Sequence, residues 1–246
     1  MAKLKWSGKV ASERRLFLWC AIWMTAVSVI GFLPPTIARF ALPEEIGYVT
    51  QDVAFHGITT SLWVLVYLTQ TILIRKRNPA IHRKVGLFAT ILLGLVLYSG
   101  FHMLLAMFTS GDKDLAEAAF NILGIGTAVA LAAAGIAMRK VSYWHKRLML
   151  AGTVILTRAS TSRSIGMVEM ASGQQLELNF YGLQAIVGAP LIALVIHDWL
   201  VHRRLVPALV VASPFVATSV LYVHRPLLVH DTGEALLRTL APIFWV

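Results

Sequence analysis

The chain has 246 residues, of which 57% are hydrophobic and only 14% are charged, and its mean hydropathy is +0.71. Soluble domains carry about a quarter charged residues, so this composition excludes an ordinary soluble globule, a disordered tail and a disulfide scaffold. Cys20 is the only cysteine, which also excludes an intrachain disulfide and a Cys-x-x-Cys redox pair. The composition therefore indicates an all-α integral membrane protein.

Seven apolar runs are long enough, at about 20 residues each, to cross the hydrocarbon core as helices. They cover residues 16–33, 53–74, 85–108, 119–138, 148–168, 180–201 and 207–223. The sequence therefore predicts a single membrane domain over residues 1–246, built as a helical bundle of about seven transmembrane helices. The tail, residues 224–246, is too short and interrupted to span again, and its apolar residues predict a short helix in the outer membrane interface.

The formal charge of +10 comes mainly from short basic blocks between these runs. Basic blocks precede the first run and follow the second, fourth and sixth runs, whereas the opposite connections carry most of the acidic residues. The positive-inside rule then places the N-terminus in the cytoplasm and, for an odd number of spans, the C-terminus outside. Topology explains the basic excess without nucleic acid, and the expected partner is the lipid bilayer.

An internal repeat is visible where the stretch that begins at His82 is aligned with the stretch that begins at His145, at an offset of 63 residues. The histidine, two basic residues, a leucine and a threonine coincide. This alignment predicts that the helix pairs 53–108 and 119–168 are duplicated copies. The two histidines are either cofactor ligands on the inner side or interfacial anchors, and anchoring is the simpler interpretation.

A further pattern runs through the second span, in which His56 and Gln70 precede an Arg-x-Arg at Arg75 and a His-Arg-x-x-Gly at His82. It resembles a broad group of poorly characterised multi-span bacterial membrane proteins. The His-Lys-x-x-Met at His145 is similar to the companion motif of related bacterial families, some of them implicated in assembling respiratory oxidases. The resemblance covers the second to the fifth run, with a more distant likeness to b-type cytochrome bundles. It implies a helical bundle in a bacterial inner membrane but no particular activity.

A rise of about 1.5 Å per residue, counted from the cytoplasmic charges, brings several polar side chains to one level near the outer face. This layer consists of His56, His102, Arg163, Gln184 and His224. His56 and His102 fall on neighbouring antiparallel helices at nearly the same height, so they are candidate axial ligands of a b-type haem. Arg158, Arg163 and Gln184 are the candidate partners of its propionates.

Alternatives remain open for the same residues. The imidazoles of His56, His102 and His224 suit a copper or zinc ion, although no short spacing of histidines supports such a site, and a structural hydrogen-bonded cluster is equally compatible with the first two. An arginine at mid-membrane costs about 2.5 to 3.5 kcal/mol. Arg158 and Arg163 therefore either bind an anion, such as a haem propionate, a lipid phosphate or a carboxylate substrate, or form structural pairs.

Together these features favour a small b-type-cytochrome-like redox protein or subunit with an outer-side haem or quinone site. The alternatives are a non-catalytic accessory or assembly subunit of a larger membrane complex, and a small-molecule transporter. Whether the protein is an enzyme stays open, because the chain has no GxSxG elbow, no P-loop and no GxGxxG fingerprint. His197 and Asp198, at the inner end of the sixth run, are either a proton-relay pair or, more simply, a hydrogen-bonded helix end.

Overall fold

The computed structural model describes residues 2–42, 44, 50–109, 115–174 and 180–223. Every regular element within these residues is helical, which confirms the all-α prediction for this part of the chain. In chain order the elements are α1 (Ala2–Ala41), α2 (Gln51–Arg75), α3 (Pro79–Thr109), α4 (Leu115–Ala137), α5 (Ser142–Leu156), α6 (Arg158–Ser172), α7 (Phe180–Val187), α8 (Ala189–His197), a π-helical turn (Asp198–His202) and α9 (Val206–Val223). The predicted interfacial tail, residues 224–246, lies outside the described residues.

Four helices, α1 to α4, are long and apolar enough to cross a membrane on their own. A fifth candidate is the pair of α7 and α8, which is bent by 64° at Gly188. Pro190 explains this break, because proline has no backbone N–H to continue the helical ladder. The predicted span at 148–168 is divided at Thr157 into α5 and α6, and α9 is apolar but shorter. The described chain thus has four or five long apolar helices, and seven spans stay a prediction.

Helix α5 lies at the centre of the bundle. Its residues from Leu150 to Ile155 are all buried, and the main core forms where α1, α4, α8 and α9 pack around it. A second apolar cluster joins α2, α3 and α4 around Trp63. Large apolar side chains also cover the outside, as shown by Leu87 and Phe40, which are 71% and 73% exposed. Apolar groups on both the inside and the outside are what a helix bundle surrounded by lipid requires.

The two helix pairs that the repeat predicts are both hairpins with short connections, α2 with α3 and α4 with α5. Their second helices begin near His82 and His145, and the two imidazole rings meet edge to face with centroids 6.3 Å apart. Nδ1 of His145 lies 2.8 Å from the carbonyl oxygen of Gly135 at the end of α4, within hydrogen-bond distance. This contact holds the start of α5 against α4, which is the anchoring role expected for His145.

Two glycines allow the backbones of neighbouring helices to come into direct contact. A Cβ atom at Gly31 of α1 would overlap the carbonyl oxygen of Ser160 of α6, and one at Gly152 of α5 would lie 2.6 Å from the carbonyl oxygen of Ala128 of α4. Both distances are shorter than any ordinary contact of a Cβ atom. Helix α1 can therefore lie against α6, and α5 against α4, only because these positions have no side chain.

Candidate functional site

The first polar group inside the bundle surrounds Arg158, the first residue of α6. Its Nη2 donates to the hydroxyl oxygens of Thr218 and Ser219 on α9, at 3.2 and 3.3 Å. The hydroxyl of Ser219 in turn lies 3.1 Å from Oε1 of Gln184 on α7 and donates to it. These four residues are hereafter the arginine site. The structure thus brings two of the predicted site residues, Arg158 and Gln184, together through a serine that the sequence did not single out.

The described groups at the arginine site stabilise its positive charge, and none of them neutralises it. The guanidinium of Arg158 lies over the rings of Phe120 and Phe215, with distances to the ring centroids of 4.7 and 5.2 Å. Its Nε is buried and has no hydrogen-bond partner among the described residues, and no described carboxylate lies within ion-pair distance of it. Hydroxyl dipoles and ring faces are therefore the only described groups that stabilise this cation.

The two predicted haem ligands, His56 of α2 and His102 of α3, make separate contacts on the interface between these helices. Nδ1 of His56 lies 3.1 Å from the hydroxyl of Ser99, and a Cβ at Gly100 would lie 3.2 Å from its Cε1, so the ring lies directly against α3. Nδ1 of His102 lies 3.0 Å from Oδ1 of Asp52, beside an open cavity of about 300 Å³. Because each Nδ1 has a protein partner, haem ligation by this pair would have to use the Nε2 atoms, and it stays a prediction.

The two predicted arginines of α6 point to different sides of that helix. Arg158 contacts α9, whereas Arg163 is exposed and its guanidinium lies 5.0 Å from the ring centroid of Phe32 on α1. The reason is geometric, since five residues of α-helix rotate a side chain by about 140° relative to the starting direction. Arg163 is instead close enough to His56 to interact with it electrostatically. His224, the third predicted metal ligand, lies outside the described residues.

A second polar group joins α1, α5 and the π-helical turn, and the sequence analysis did not identify it as a site. Nε and Nη2 of Arg147 donate to the two carboxylate oxygens of Asp198, at 2.8 and 2.5 Å, and Nη1 lies 3.1 Å from Oε1 of Glu13. Glu13 also pairs with Lys146, and the hydroxyl of Tyr143 donates to Asp198 at 3.3 Å. These five residues are hereafter the ion network. Arg147 and Asp198 are completely buried in it.

Two histidines lie beside the ion network. Nδ1 of His197 is 3.6 Å from Oδ1 of Asp198, and its Nε2 is 3.1 Å from the hydroxyl of Ser12. Nε2 of His202 is 3.7 Å from Oε1 of Glu13, and the two imidazole centroids are 5.5 Å apart. His197 and Asp198 do form a helix end, as the simpler interpretation of the sequence predicts, but this end is a junction of three helices.

The charges of the ion network balance one another. Two carboxylates face one guanidinium and one ammonium group. Burial lowers the pKa of Lys146, although the contact with Glu13 opposes this shift. Burial also raises the pKa of Tyr143, so its hydroxyl keeps the proton that it donates to Asp198. The balance allows a group of charges to be buried that would be costly if one partner were missing.

A sequence signal for the ion network was present. Of the twelve acidic residues in the chain, ten lie in the tail or the connections predicted to be outside, and only Glu13 and Asp198 lie at the inner ends of their helices. The positive-inside rule gives no reason for an acidic residue at these two places. An acidic residue in a basic region, on a helix that is otherwise apolar, indicates a buried pair with one of the neighbouring cations.

No protein-family model matches the chain, and no curated protein and no solved structure is significantly similar to it. The fold itself defines the class of protein, a helical chain with several helices that are long and apolar enough to span a membrane.

Proposed function

We propose that the chain is an integral membrane protein whose seven apolar runs all cross the bilayer. Helices α1 to α4 and the bent pair of α7 and α8 support five crossings by length and apolarity. Helices α5 and α6 would together provide a sixth, because only Thr157 separates them, and it joins them by donating its N–H to the carbonyl of Thr153 and accepting from the N–H of Thr161. Helix α9, with 18 residues, would provide the seventh.

The contacts at the two ends of the bundle support this alternation, and the positive-inside rule supports the proposal that the N-terminus lies on the cytoplasmic side. The ion network connects the beginning of α1, the beginning of α5 and the end of α8 through Glu13, Arg147 and Asp198. In a bundle of seven alternating crossings, all three of these ends fall on the N-terminal side. On the opposite side, Asp52 at the beginning of α2 contacts His102 near the end of α3.

Within this bundle, the function that the geometry supports best is binding of a small anionic amphiphile by Arg158. Such a molecule carries a carboxylate or phosphate group on an apolar body. The single observation that carries this proposal is a guanidinium in the bundle with a buried, unpartnered Nε and no carboxylate among its described neighbours. A cation inside a membrane is costly unless it is paired, so it marks a functional site by default. Guanidinium donors match paired carboxylate or phosphate oxygens.

The surroundings of Arg158 suit such a ligand. The hydroxyls of Thr218 and Ser219 and the amide of Gln184 are neutral groups that can donate to an anion after rotation about one bond. The faces of Phe120 and Phe215 provide apolar contact beside the charge. A fatty acid, a phospholipid and a haem with its propionates all belong to this chemical class, so the proposal includes the haem hypothesis as one of its cases. Binding of a lipid would instead fit an accessory subunit.

The test compares purified wild-type protein with Arg158→Gln, which removes the charge, and Arg158→Lys, which keeps the charge but loses the forked donors. Arg139→Gln is the matched control, because Arg139 is exposed in the connection between α4 and α5. Each protein is isolated in mild detergent as a single gel-filtration species. Its bound molecules are then extracted, quantified by mass spectrometry, and examined by absorption before and after reduction with dithionite.

We expect one anionic amphiphile to co-purify in a near-stoichiometric amount with wild-type protein and Arg139→Gln, to be lost from Arg158→Gln, and to be partly retained by Arg158→Lys. A Soret band that sharpens on reduction and disappears in Arg158→Gln would identify the molecule as haem, and a colourless sample would identify a lipid or fatty acid. Equal retention of the molecule by folded Arg158→Gln would refute the proposal.

A further inference from the structure

Two imidazoles with buried nitrogen atoms lie beside the carboxylates of the ion network. Nδ1 of His197 and Nε2 of His202 have no hydrogen-bond partner among the described residues, whereas Oε1 of Glu13, also buried, is paired with Nη1 of Arg147 at 3.1 Å. Buried polar atoms are nearly always satisfied, because each unsatisfied one costs about 1 to 3 kcal/mol. A single cation placed between the two imidazoles and the carboxylate of Asp198 would interact favourably with all three residues. This place is at the opposite end of the bundle from the predicted polar layer and is independent of the arginine site.

The π-helical turn brings the two imidazoles together. In an ordinary α-helix, residues five apart differ by about 140° in direction, so His197 and His202 would lie on different sides. In the turn Asp198–His202, the N–H of Arg203 donates to the carbonyl of Asp198, five residues earlier, which places residues at this spacing nearly one above the other. The two ring centroids are consequently 5.5 Å apart. Single π-helical turns occur frequently at functional sites.

The distances between the candidate ligand atoms are close to those of a metal centre. Nδ1 of His197 lies 3.6 Å from Oδ1 of Asp198, and Nε2 of His202 lies 3.7 Å from Oε1 of Glu13. The ligand atoms of His197, Asp198 and His202 all lie within 4.8 Å of one another. Ligands at about 2.0 to 2.1 Å from a tetrahedral zinc ion are separated by about 3.4 Å. Small side-chain rotations would therefore be enough to close the site around an ion.

We propose that Glu13, His197, Asp198 and His202 bind one divalent transition-metal ion of the zinc type. Two imidazoles with carboxylates are a ligand set typical of zinc. Calcium and magnesium prefer sites built from oxygen ligands alone. The only cysteine, Cys20, lies elsewhere, in the apolar core, so thiolate ligation has no part in this site.

Neighbouring groups hold the ligands in position, as outer-shell partners do in metal centres. A carboxylate has about four lone-pair directions, so Asp198 can bind an ion while it keeps its hydrogen bonds from Arg147 and Tyr143. The hydroxyl of Ser12 lies 3.1 Å from Nε2 of His197. When Nε2 donates its proton to Ser12, Nδ1 is left unprotonated and faces Asp198, which is the tautomer that a metal ligand needs.

Without metal, Glu13 and Asp198 offset Arg147 and Lys146, so the charges of the ion network are balanced. A zinc ion bound beside it would add positive charge, and its ligands have to be unprotonated to bind it.

The test uses the full-length protein in detergent, stripped with a chelator, reloaded with zinc sulfate and desalted. Zinc per chain is measured by elemental mass spectrometry, and affinity by competition with a zinc-binding dye. His197→Asn and His202→Asn remove one ligand each. His82→Asn is the matched control, because His82 belongs to the other pair of neighbouring histidines, with His145. X-ray absorption of the zinc-loaded wild-type protein reports the ligands directly, without any variant.

We expect one zinc ion per chain in wild-type protein and in His82→Asn, and a loss of affinity of at least about 100-fold in His197→Asn and His202→Asn. The absorption spectrum should show nitrogen and oxygen ligands at about 2.0 to 2.1 Å, with imidazole scattering. The proposal is wrong if reloaded wild-type protein holds no stoichiometric zinc, if folded His202→Asn binds zinc as tightly as wild type, or if the spectrum lacks imidazole. The absorption spectrum is measured on wild-type protein, so it tests the proposal even if the variants do not fold.

Discussion

The buried pair of Arg147 and Asp198 leads to a prediction about stability that can be worked out from the contacts. Both side chains are fully buried, and Arg147 makes two charge-assisted hydrogen bonds to Asp198. Arg147→Met leaves the carboxylate with one weaker donor, the hydroxyl of Tyr143 at 3.3 Å. Removing one partner of a buried ion pair costs about 3 to 5 kcal/mol, and we expect the upper half of this range for Arg147→Met.

The opposite change, Asp198→Asn, should cost less. Arg147 keeps its contact with Glu13 at 3.1 Å and its hydrogen bond to the carbonyl of Tyr143 at 3.0 Å, and the asparagine oxygen still accepts one bond. We expect a loss of about 2 to 3 kcal/mol, the value of hydrogen bonds to a charged group. The double variant Arg147→Met with Asp198→Asn should lose clearly less than the sum of the two single variants, because no unpaired charge remains.

The assay is reversible unfolding in mixed micelles with increasing dodecyl sulfate, followed by the fluorescence of the seven tryptophans. Arg139→Met is the control, because it makes the same chemical change at an exposed residue and should stay within about 0.5 kcal/mol of wild type. A loss below about 1 kcal/mol for Arg147→Met, or a double variant that loses the full sum, would refute a buried and coupled pair.

Two further predictions concern helix packing and topology. Gly31→Ala should destabilise the protein by at least about 1 to 3 kcal/mol in the same assay, because the new methyl group meets the backbone of α6. The control, Gly94→Ala, places its new atom where nothing lies within 4 Å, so it should be neutral or slightly stabilising. Equal effects of the two substitutions would contradict the close contact at Gly31. In a background with Cys20→Ser, a membrane-impermeant thiol reagent should label Ser172→Cys in intact cells but Lys140→Cys only after lysis, and the reverse pattern would exclude the proposed orientation.

The apolar runs predict where helices form because length and apolar composition are properties of the sequence alone. They do not predict where a helix breaks. Thr157 and Gly188 divide two runs that hydropathy treats as continuous, since hydropathy measures composition and not the continuity of the hydrogen-bond ladder. Pro190 was a local sign of the second break. The break at Thr157 had no such sign, because the run over residues 148–168 contains no proline.

Because the rise of a helix is nearly constant, counting residues gives the approximate level of a side chain, but the layer predicted from it stays a prediction. The contacts of Asp52 with His102 and of His56 with Ser99 follow one another along the same interface, as counting along the two helices requires. The direction of a side chain was harder to predict. Grouping Arg158 with Arg163 neglected the rotation between them, and the partners of Arg158 are hydroxyls of α9, a residue type too common to be noticed in a sequence.

Two arginines, Arg147 near the beginning of α5 and Arg158 at the beginning of α6, show how structural and binding roles can be distinguished. They are eleven residues apart and lie on either side of the break at Thr157. The donors of Arg147 face two carboxylates and a backbone carbonyl, so its charge and its geometry are both satisfied by the chain. Arg158 has hydroxyls and ring faces but a buried Nε without a described partner. A cation whose charge the chain neutralises is explained by packing, and a cation that the described residues only solvate needs another partner. The binding proposal therefore rests on Arg158 and not on Arg147.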